Sequence, residues 1–493
     1  MRITQNTQHT ASPLHQPHDV WWLLAFLSIM TLWRFSVLSN MDVSLYIDEA
    51  QYWYWANHLD FGYYSKPPMV ALLIAATTSL FGDGEVAIRL ASIIVYPFSS
   101  LLVYLIGQRL FSSRVGLVSA MLFMLMPAVS VSSLVISTDV AFFFFWALGL
   151  YALIRALASN AWIWWIVLGL AGGLGMETKY TMGVFVISAT AYFLLSAQWR
   201  IFLNPRLWLA GILAALIWLP NLIWNYQHEF ITFQHTYDIS QGNQNLFRWN
   251  ELFGFLGGQF GVFGIISFAL LIYITAKGKF AHKTLLMTFS WTFILIISWQ
   301  ALFGRANANW AAPAFVTASV AVAAWLVNGK YWKWLIAALS LNLILSGGLY
   351  YFEPTLKLIG VEQTSRNDIY KRLRGWPELG QQFSKIHEKY PDSILLGAGD
   401  RTILAHLAYQ ARPLKVSTWN DTGRIRHHYD IHNRLDTLTE TEFLYVTHAP
   451  LEDAVKASFE HSQQLGKLSH TLYPDKKREY TVYLLQNFKG YQP

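Results

Sequence analysis

The 493-residue sequence contains no cysteine and few charged residues. Without cysteine, a disulfide framework and a thiolate metal site are both excluded. Asp, Glu, Lys and Arg make up only 13% of the chain, whereas the charged fraction of soluble domains is about a quarter. Hydrophobic residues reach 54% and aromatic residues 16%. These proportions exclude an ordinary soluble enzyme and predict a polytopic α-helical membrane protein.

Three further signals are missing from the chain. Residues 1–19 lack the short apolar region and small-residue cleavage site of a secretory signal, so we expect a cytoplasmic tail before an uncleaved first helix. The basic residues before position 353 stand mostly singly between apolar runs, and the net charge of +7 therefore predicts bilayer orientation and no nucleic-acid partner. No internal repeat is visible, which argues against a transporter built from inverted repeats.

Apolar runs long enough, or nearly long enough, to span a bilayer are frequent before residue 353. They lie at about 20–38, 86–108, 115–136, 140–157, 161–176, 181–198, 207–225, 252–275, 284–303, 310–328 and 334–352. The run at 67–81 is shorter, and we expect it to lie in the membrane interface. The pattern predicts a transmembrane domain over 20–352 with a long first outer loop at 39–85.

Charge is distributed unequally between the ends of these runs. With the N-terminus inside, most Lys and Arg residues fall on the inner side, as the positive-inside rule requires. Eleven of the twelve acidic residues before position 353 fall on or near the outer side. Acidic residues contribute little to topology, so this asymmetry indicates a functional site on the outer face.

The chain changes composition after residue 352. Residues 353–493 hold 19 of the 36 Lys and Arg residues and 17 of the 29 acidic ones. Short β-rich runs, "SILLGAG", "EFLYVTHAP" and "EYTVYLLQNF", alternate with helix-like stretches such as "WPELGQQFSKIHEKY". An odd number of spans places this tail outside. The composition and the alternating runs of residues 353–493 therefore predict a soluble α/β domain on the periplasmic side.

The first outer loop carries the segment "YIDEAQYWYWANHLDFGYYSKPP", residues 46–68. Asp48 and Glu49 are suited to general base or metal-binding chemistry, and a helix cap is the alternative for the pair. Lys66, held by the two prolines that follow it, can bind a phosphate or can be an interfacial lysine. We expect the aromatic rings of the segment, including Tyr63 and Tyr64, to lie at the level of the lipid headgroups.

Further polar residues are predicted on the same outer face. Asp139, in "ISTDVAFFFFW", is a candidate carboxylate or part of a helix start at Ser137 or Thr138. Cations and amides that suit phosphate or substrate binding lie in "METKYTMG" and "FGRANANWAAPAF": Lys179, Tyr180, Arg305 and Asn309. Each of these residues, taken alone, is typical of a helix end. The hypothesis of a functional site depends on their being predicted on the same membrane face.

A third outer segment, "LPNLIWNYQHEFITFQHTYDIS", contains His228, Glu229 and His235. Their spacing matches no specific zinc pattern. The metal ligands are therefore unknown, a divalent metal is possible, and no cofactor is certain.

Taken in order, "YIDEAQYWYWANHLDFGYYSKPPMVALL", "STDVAFFFFWALGLYALIRAL", "GLGMETKYT", "PNLIWNYQHEFITF" and "NANWAAPAF" resemble the bacterial family 39 glycosyltransferases of the GT-C superfamily. That family is related to protein O-mannosyltransferases and to transferases that add aminoarabinose to lipid A. The resemblance implies about 11 to 13 transmembrane helices in a bacterial inner membrane. It also implies inverting transfer of a hexosyl or pentosyl group from polyprenyl phosphate to a lipid, glycan or protein on the periplasmic face.

The resemblance and the predicted outer-face positions together give ten candidate site residues. Catalytic roles fall to Asp48, Glu49 and Asp139, donor phosphate binding to Lys66, Lys179 and Arg305, and substrate binding to Tyr63, Tyr64, Tyr180 and Asn309. The sequence departs from the aminoarabinose branch at Gln51 and Ser65, where that branch tends to have arginine and glutamate. These departures remove one cation and one carboxylate, and they argue against the lipid A assignment and against a metal site that involves that glutamate.

Two other functions fit a large outer loop. A lipid-linked glycan polymerase or ligase would use a longer donor, and the early Asp-Glu loop followed by Lys-Pro-Pro favours a monosaccharide carrier instead. A transporter or flippase predicts ionisable residues near the bilayer midplane. Here they gather at one end of the predicted spans.

Overall fold

A computed structural model of the protein describes residues 17–241, 247–438 and 441–492. All but the last three residues of the predicted tail 1–19 therefore lie outside the described residues. The chain divides into two compact units. The helical unit comprises residues up to Asn40, Pro67–Val70 and Arg89–Tyr351, and the α/β unit comprises Met41–Lys66, Ala71–Ile88 and the residues from Phe352 onward.

The described residues before 352 are almost entirely helical. Their α-helices are α1 (Pro17–Ser39), α2 (Ile47–Ala56), α3 (Met69–Phe81), α4 (Glu85–Leu110), α5 (Ser113–Leu125), α6 (Pro127–Ser132), α7 (Thr138–Ser159), α8 (Trp162–Met176), α9 (Gly183–Leu195), α10 (Pro205–Gln227), α11 (Ile231–Ser240), α12 (Trp249–Phe263), α13 (Ile265–Lys277), α14 (Lys283–Phe303), α15 (Ala314–Asn328) and α16 (Trp332–Tyr350). Short 3₁₀ helices lie at Tyr180–Met182, Trp199–Leu203 and Ala308–Ala311.

Six of these helices are long and apolar enough to cross a membrane: α1, α4, α7, α10, α14 and α16. A seventh span results if the bent pair α12 and α13 is taken as one. The remaining predicted runs form shorter apolar helices, and the run at 115–136 is interrupted where Pro127 begins α6. The multi-pass helical fold is confirmed, whereas the number of spans stays a prediction.

The run at 252–275 differs from the straight span that its hydropathy predicts. Helices α12 and α13 meet at an angle of 113°. Gly264 lies at the corner with φ +100°, and a Cβ atom there would clash with Oδ1 of Asn342. Nδ2 of Asn342 donates to the carbonyl of Phe263 across 3.4 Å, which satisfies a backbone group that the bend releases. Glycine is therefore required both by the backbone angle and by the available space.

The residues from 352 onward form the predicted α/β fold. Its helices are α17 (Phe352–Leu358), α18 (Trp376–His387), α19 (Arg401–Gln410), α20 (Tyr429–His432) and α21 (Asp453–Ala457), and a 3₁₀ helix covers Leu435–Thr437. Its strands are β1 (Ile394–Gly397), β2 (Val416–Thr418), β3 (Glu442–Thr447), β4 (Phe459–Tyr473) and β5 (Lys476–Phe488).

These strands form one sheet in the order β2-β1-β3-β5-β4. Strand β1 pairs in parallel with β2 and β3, whereas β5 pairs antiparallel with β3 and β4. The three β-rich runs predicted from the sequence became β1, β3 and β5. The long strand β4 was not predicted because its burial does not follow a regular alternation and most of its side chains are polar.

The first outer loop contributes most of α2 and α3 to the α/β unit. Trp55 and Tyr63 are fully buried and stack with ring centroids 4.4 Å apart and an interplanar angle of 3°. Trp53 donates to Oδ1 of Asp83 across 2.8 Å, and its ring meets that of Tyr409 at 5.1 Å. Trp53, Trp55 and Tyr63 therefore pack inside the protein and do not face lipid headgroups, whereas their level relative to the membrane stays a prediction. They form an aromatic core with residues of the C-terminal part of the chain.

Candidate active site

Asp48 lies in the first turn of α2, where the helix dipole favours a negative charge. The side chain of Gln51, one turn later, is buried. Both are contacted by Arg401, the first residue of α19. Nη2 of Arg401 donates to Oδ1 of Asp48 across 2.9 Å, and Nη1 donates to Oε1 of Gln51 across 2.5 Å. We call Asp48, Gln51 and Arg401 the first-loop site.

Glu49 lies next to Asp48 but faces a different environment. The residue is fully buried, and its Oε2 accepts a hydrogen bond of 2.8 Å from the backbone N–H of Tyr46, which precedes α2. This contact is the helix cap that the sequence left open as the alternative for the acidic pair. The cap fixes the start of α2, and so it also fixes the position of Asp48.

Tyr63 is held by its hydroxyl group as well as by its ring. The hydroxyl donates to the carbonyl oxygens of Trp55 and His58 and accepts from the N–H of Asp60. Burial raises the pKa of Tyr63 to about 12, so the phenol stays neutral. Its backbone N–H donates to the carbonyl of Lys66 across 3.2 Å, which closes the turn that leads to the prolines. The side chains of Tyr64 and Lys66 are half-buried on this turn.

A second carboxylate, Asp139, lies at the start of α7 in the helical unit. Ser137 is the N-cap of this helix, as the sequence suggested, and its Oγ accepts from the N–H of Asp139 across 3.3 Å. Nζ of Lys179 lies 2.8 Å from Oδ1 of Asp139, and Nδ2 of Asn309 donates to Oδ2 across 3.1 Å. We call Asp139, Lys179 and Asn309 the helix-end site. The helix-end site brings together three residues that the sequence predicts as site residues in three separate segments.

Tyr180 follows Lys179 directly but has its own partners. Its hydroxyl donates to Oδ1 of Asn221 across 2.8 Å and accepts from Nδ2 of Asn225 across 3.1 Å. Its ring stacks on Phe233 at 4.6 Å. Arg305, by contrast, is exposed to solvent. The helical unit therefore holds Tyr180 rigidly and leaves the Arg305 side chain accessible.

Arg401 and Glu177 also belong to these regions, although their sequence positions predict no role for them. Arg401 was missed because nothing in a linear pattern connects it to a loop 350 positions away. Glu177 was counted only as an outer acidic residue. It is buried, its Oε2 has no hydrogen-bond partner among the described residues, and burial raises its pKa to about 8. The sequence feature that could have indicated this buried carboxyl is its position directly after the glycine-rich helix α8.

Histidines were considered as metal ligands in the third outer segment. His228 stacks on Trp224 with ring centroids 4.0 Å apart, and its Nδ1 lies 2.8 Å from the carbonyl oxygen of Trp224. Over residues 17–241, 247–438 and 441–492, no three His, Asp or Glu side chains form a group that could hold a metal ion.

Comparison with known proteins identifies the family of the chain. The family described as dolichyl-phosphate-mannose-protein mannosyltransferase matches residues 65–224. A lipid A galacturonosyltransferase of Rhizobium johnstonii is 33% identical over 390 residues, which cover 78% of this chain and 81% of that protein. An undecaprenyl phosphate-α-4-amino-4-deoxy-L-arabinose arabinosyl transferase of Pseudomonas aeruginosa is 32% identical over 175 residues, 34% of this chain and 32% of that protein.

The fold has a counterpart among solved structures. The apo structure of ArnT from Cupriavidus metallidurans has a TM-score of 0.67 at 13% identity, and the match covers 95% of this chain and 98% of that one. At this identity the likeness concerns the fold, including the C-terminal sheet. The relationship to the Rhizobium enzyme, which extends over more than two thirds of both proteins, is the stronger link. The chain therefore belongs to the GT-C superfamily of membrane glycosyltransferases, as a family 39 type enzyme that uses polyprenyl-phosphate-linked sugars.

Proposed function

We propose that this enzyme transfers a uronic acid residue from polyprenyl phosphate to a lipid A-type acceptor, with inversion at the anomeric carbon. The observation that carries the choice of substrates is the 33% identity to a lipid A galacturonosyltransferase over 78% of the chain. Acidic residues on the predicted outer side favour a reaction at the periplasmic face of the bacterial inner membrane. Polyprenyl carriers and lipid A-type acceptors are both membrane lipids, which suits a multi-pass enzyme.

Asp48 is the general base of the proposed reaction. Its side chain is 39% exposed and can therefore meet an acceptor hydroxyl, whereas the side chain of Asp139 is only 11% exposed. The acceptor oxygen attacks the anomeric carbon as Asp48 takes the hydroxyl proton. The bond between that carbon and the phosphate oxygen breaks on the opposite face, and its electron pair leaves with polyprenyl phosphate. Attack opposite the leaving group produces the inversion.

Lys66, Lys179 and Arg305 carry positive charge for the phosphate of the donor. Negative charge grows on that phosphate as the sugar leaves, and cations aimed at it stabilise the transition state. Arg305 is suited to a bidentate contact because its guanidinium is exposed. Lys179 is already oriented by Asp139, which gives the second carboxylate an orienting role.

The remaining predicted residues are proposed to shape the substrate site. Tyr64 and Asn309 are half-buried or exposed and can contact the sugar or the acceptor. Tyr63, Tyr180 and Glu49 are held by the hydrogen bonds described above, so their proposed contribution is to keep α2 and the segment after α8 in place.

Aminoarabinose is the second candidate sugar. A transferase for this sugar is among the relatives, but the chain spans only about a third of that relative's length. The amide of Gln51 stands where that branch tends to carry a cation, and Ser65 stands where it tends to carry a carboxylate. The missing carboxylate at Ser65 favours a uronic acid donor over a cationic amino sugar, whereas the missing cation at Gln51 does not distinguish the two sugars.

The proposal is tested with purified full-length protein in detergent. Polyprenyl-phosphate-linked galacturonic acid and the aminoarabinose analogue are each offered with lipid A, and the lipid product is identified by mass spectrometry. We expect at least about tenfold higher kcat/KM for the uronic acid donor, the discrimination that a few polar contacts provide. Equal or reversed preference would refute the sugar assignment. Movement of substrate across sealed vesicles without a glycosylated product would instead identify a transporter.

A further inference from the structure

Arg401 connects two acceptors of the first outer loop with one guanidinium. Its two terminal nitrogens contact Oδ1 of Asp48 and Oε1 of Gln51, residues that lie one helical turn apart on the same face of α2. The fork of an arginine is rigid and planar, so two simultaneous contacts fix the orientation of both partners. A lysine, as a point charge, makes no equivalent fork.

The backbone of Arg401 is itself firmly placed. The preceding Asp400 caps α19, with Oδ1 accepting from the N–H of Thr402 across 2.8 Å. The next residues, Ile403 and Leu404, are buried in the core of the α/β unit. On the other side of the contact, the buried Gln51 has little freedom to move. The guanidinium therefore reaches Asp48 from a defined position.

Stability alone gives a weak reason for this contact. The side chains of Arg401 and Asp48 are 37% and 39% exposed, and ion pairs with this degree of exposure contribute little to stability. The same accessibility allows substrate to approach the carboxylate. An exposed carboxylate on a short helix becomes an effective base only if its orientation is fixed, because small errors in position are costly for catalysis.

We infer that Arg401 is a positioning residue of the transfer reaction, supplied by the C-terminal α/β fold to orient Asp48. The guanidinium engages Oδ1, so Oδ2 is the oxygen that takes the proton of the acceptor hydroxyl. Gln51 holds the second nitrogen of the fork and keeps Arg401 from rotating away. This inference rests on the proposed role of Asp48, and it gives the C-terminal fold a direct part in catalysis.

The test compares Arg401→Gln, Arg401→Lys and Arg401→Glu with Arg412→Gln as the matched control. Arg412 also belongs to the α/β unit and also contacts the first outer loop, since its Nη2 donates to the carbonyl of Asp83 across 3.2 Å. It does not touch Asp48 in the described structure. Each variant is purified at full length, its thermal midpoint is measured, and kcat and KM are determined with polyprenyl-phosphate-linked galacturonic acid and lipid A.

For Arg401→Gln we expect kcat to fall about 10- to 100-fold while both KM values change by less than about threefold, because orientation is lost and substrate binding is kept. Arg401→Lys should retain more activity than Arg401→Gln, and Arg401→Glu should be the least active because it repels Asp48. Arg412→Gln should stay within about twofold of the wild type.

Three outcomes would overturn the inference. The first is a kcat of Arg401→Gln within about twofold of the wild type, and the second is a loss confined to KM. The third is an equal loss of kcat in Arg412→Gln, which would indicate a structural role of the interface. Failure of the proposed function is distinguishable, because in that case the wild-type enzyme forms no product or Asp48→Asn keeps full activity.

Discussion

The first-loop site and the helix-end site each pair a carboxylate with a cation, but they differ in burial. The side chains of Asp48 and Arg401 are 39% and 37% exposed, whereas those of Asp139 and Lys179 are 11% and 16% exposed. A buried pair is costly to break because the remaining charge stays out of water, whereas an exposed pair leaves one side of its carboxylate accessible to substrate. The contrast supports the proposal that Asp48 reacts with the acceptor and that Asp139 orients Lys179.

The two pairs also differ in how the chain brings them together. Asp139 and Lys179 lie 40 positions apart, and both flank apolar helices of the same unit. Asp48 and Arg401 lie 353 positions apart, in the first outer loop and in the C-terminal fold. The first contact therefore depends on the packing of helices, and the second depends on the folding of the C-terminal α/β structure around the loop.

The strongest test of this contrast is the replacement Asp48→Asn. Without its base the enzyme should lose about 10²- to 10⁴-fold in kcat. Its thermal midpoint should hardly change, because an exposed pair contributes at most about 1 kcal/mol. Product formation from polyprenyl-phosphate-linked galacturonic acid and a thermal scan in detergent provide the two measurements. Asp42→Asn, an exposed acid of the same loop, serves as the control and should keep near wild-type activity.

The replacement Asp139→Asn should give the opposite pattern in stability. It leaves the ammonium of Lys179 buried without its counter-charge, and breaking a buried pair costs about 3–5 kcal/mol. We expect the thermal midpoint to fall by several degrees. The double variant Asp139→Asn with Lys179→Gln should recover part of the loss, because the uncompensated charge is removed. A midpoint equal to that of Asp48→Asn would contradict the distinction between the two sites.

Much of the fold was predictable because hydrophobic periodicity reports burial directly. The multi-pass helical part, three strands of the C-terminal sheet and α18 follow from local patterns. The corner at Gly264 was not predictable, since it depends on the space beside Asn342 and on a carbonyl that Asn342 satisfies. The burial of Trp55 and Tyr63 was also missed, because an aromatic segment near a predicted span suits the lipid interface equally well.

The candidate sites were predictable in residue type but not in pairing. Asp139, Lys179 and Asn309 were chosen because all three were expected on one membrane face, and the structure brings them within hydrogen-bonding distance. The sequence does not indicate a role for Arg401, because a single arginine after "GAGD" is typical of an ordinary helix start. A contact over 353 positions is fixed by tertiary structure alone.

The pH dependence of protein stability tests whether the carboxyl of Glu177, two residues before Lys179, is buried. Its pKa of about 8 lies above the value of an unfolded glutamate, so the folded protein binds this proton more tightly. The stability contribution is fully present below about pH 4 and is lost as the pH rises through about 8. We expect the wild-type thermal midpoint to fall between about pH 6 and about pH 9, and Glu177→Gln to remove at least about half of that fall.

The control for this measurement is Glu229→Gln, which changes an exposed carboxylate of the same unit. This variant leaves the buried carboxyl of Glu177 unchanged, so it should follow the wild-type pH profile. If Glu177→Gln also follows the wild-type profile, the carboxyl is hydrated in the folded protein and the burial of this segment is less complete than described.

Replacing Arg305 should have the smallest effect of these substitutions. It compares an exposed cation with Lys179, the less exposed cation of the helix-end site. The exposed side chain of Arg305 can be replaced by glutamine with a change in stability below about 0.5 kcal/mol, unlike the side chain of Lys179, which is only 16% exposed. If it binds the donor phosphate, Arg305→Gln should raise the KM for the donor by about 3- to 10-fold, and the effect should shrink at high salt because exposed charges are screened. Arg200→Gln, an exposed arginine predicted on the inner side, should leave KM unchanged. An unchanged donor KM in Arg305→Gln would leave Lys66 and Lys179 as the cations of the phosphate site. An equal rise of the donor KM in Arg305→Gln and Arg200→Gln would mean that the enzyme responds to net charge and not to a contact at Arg305.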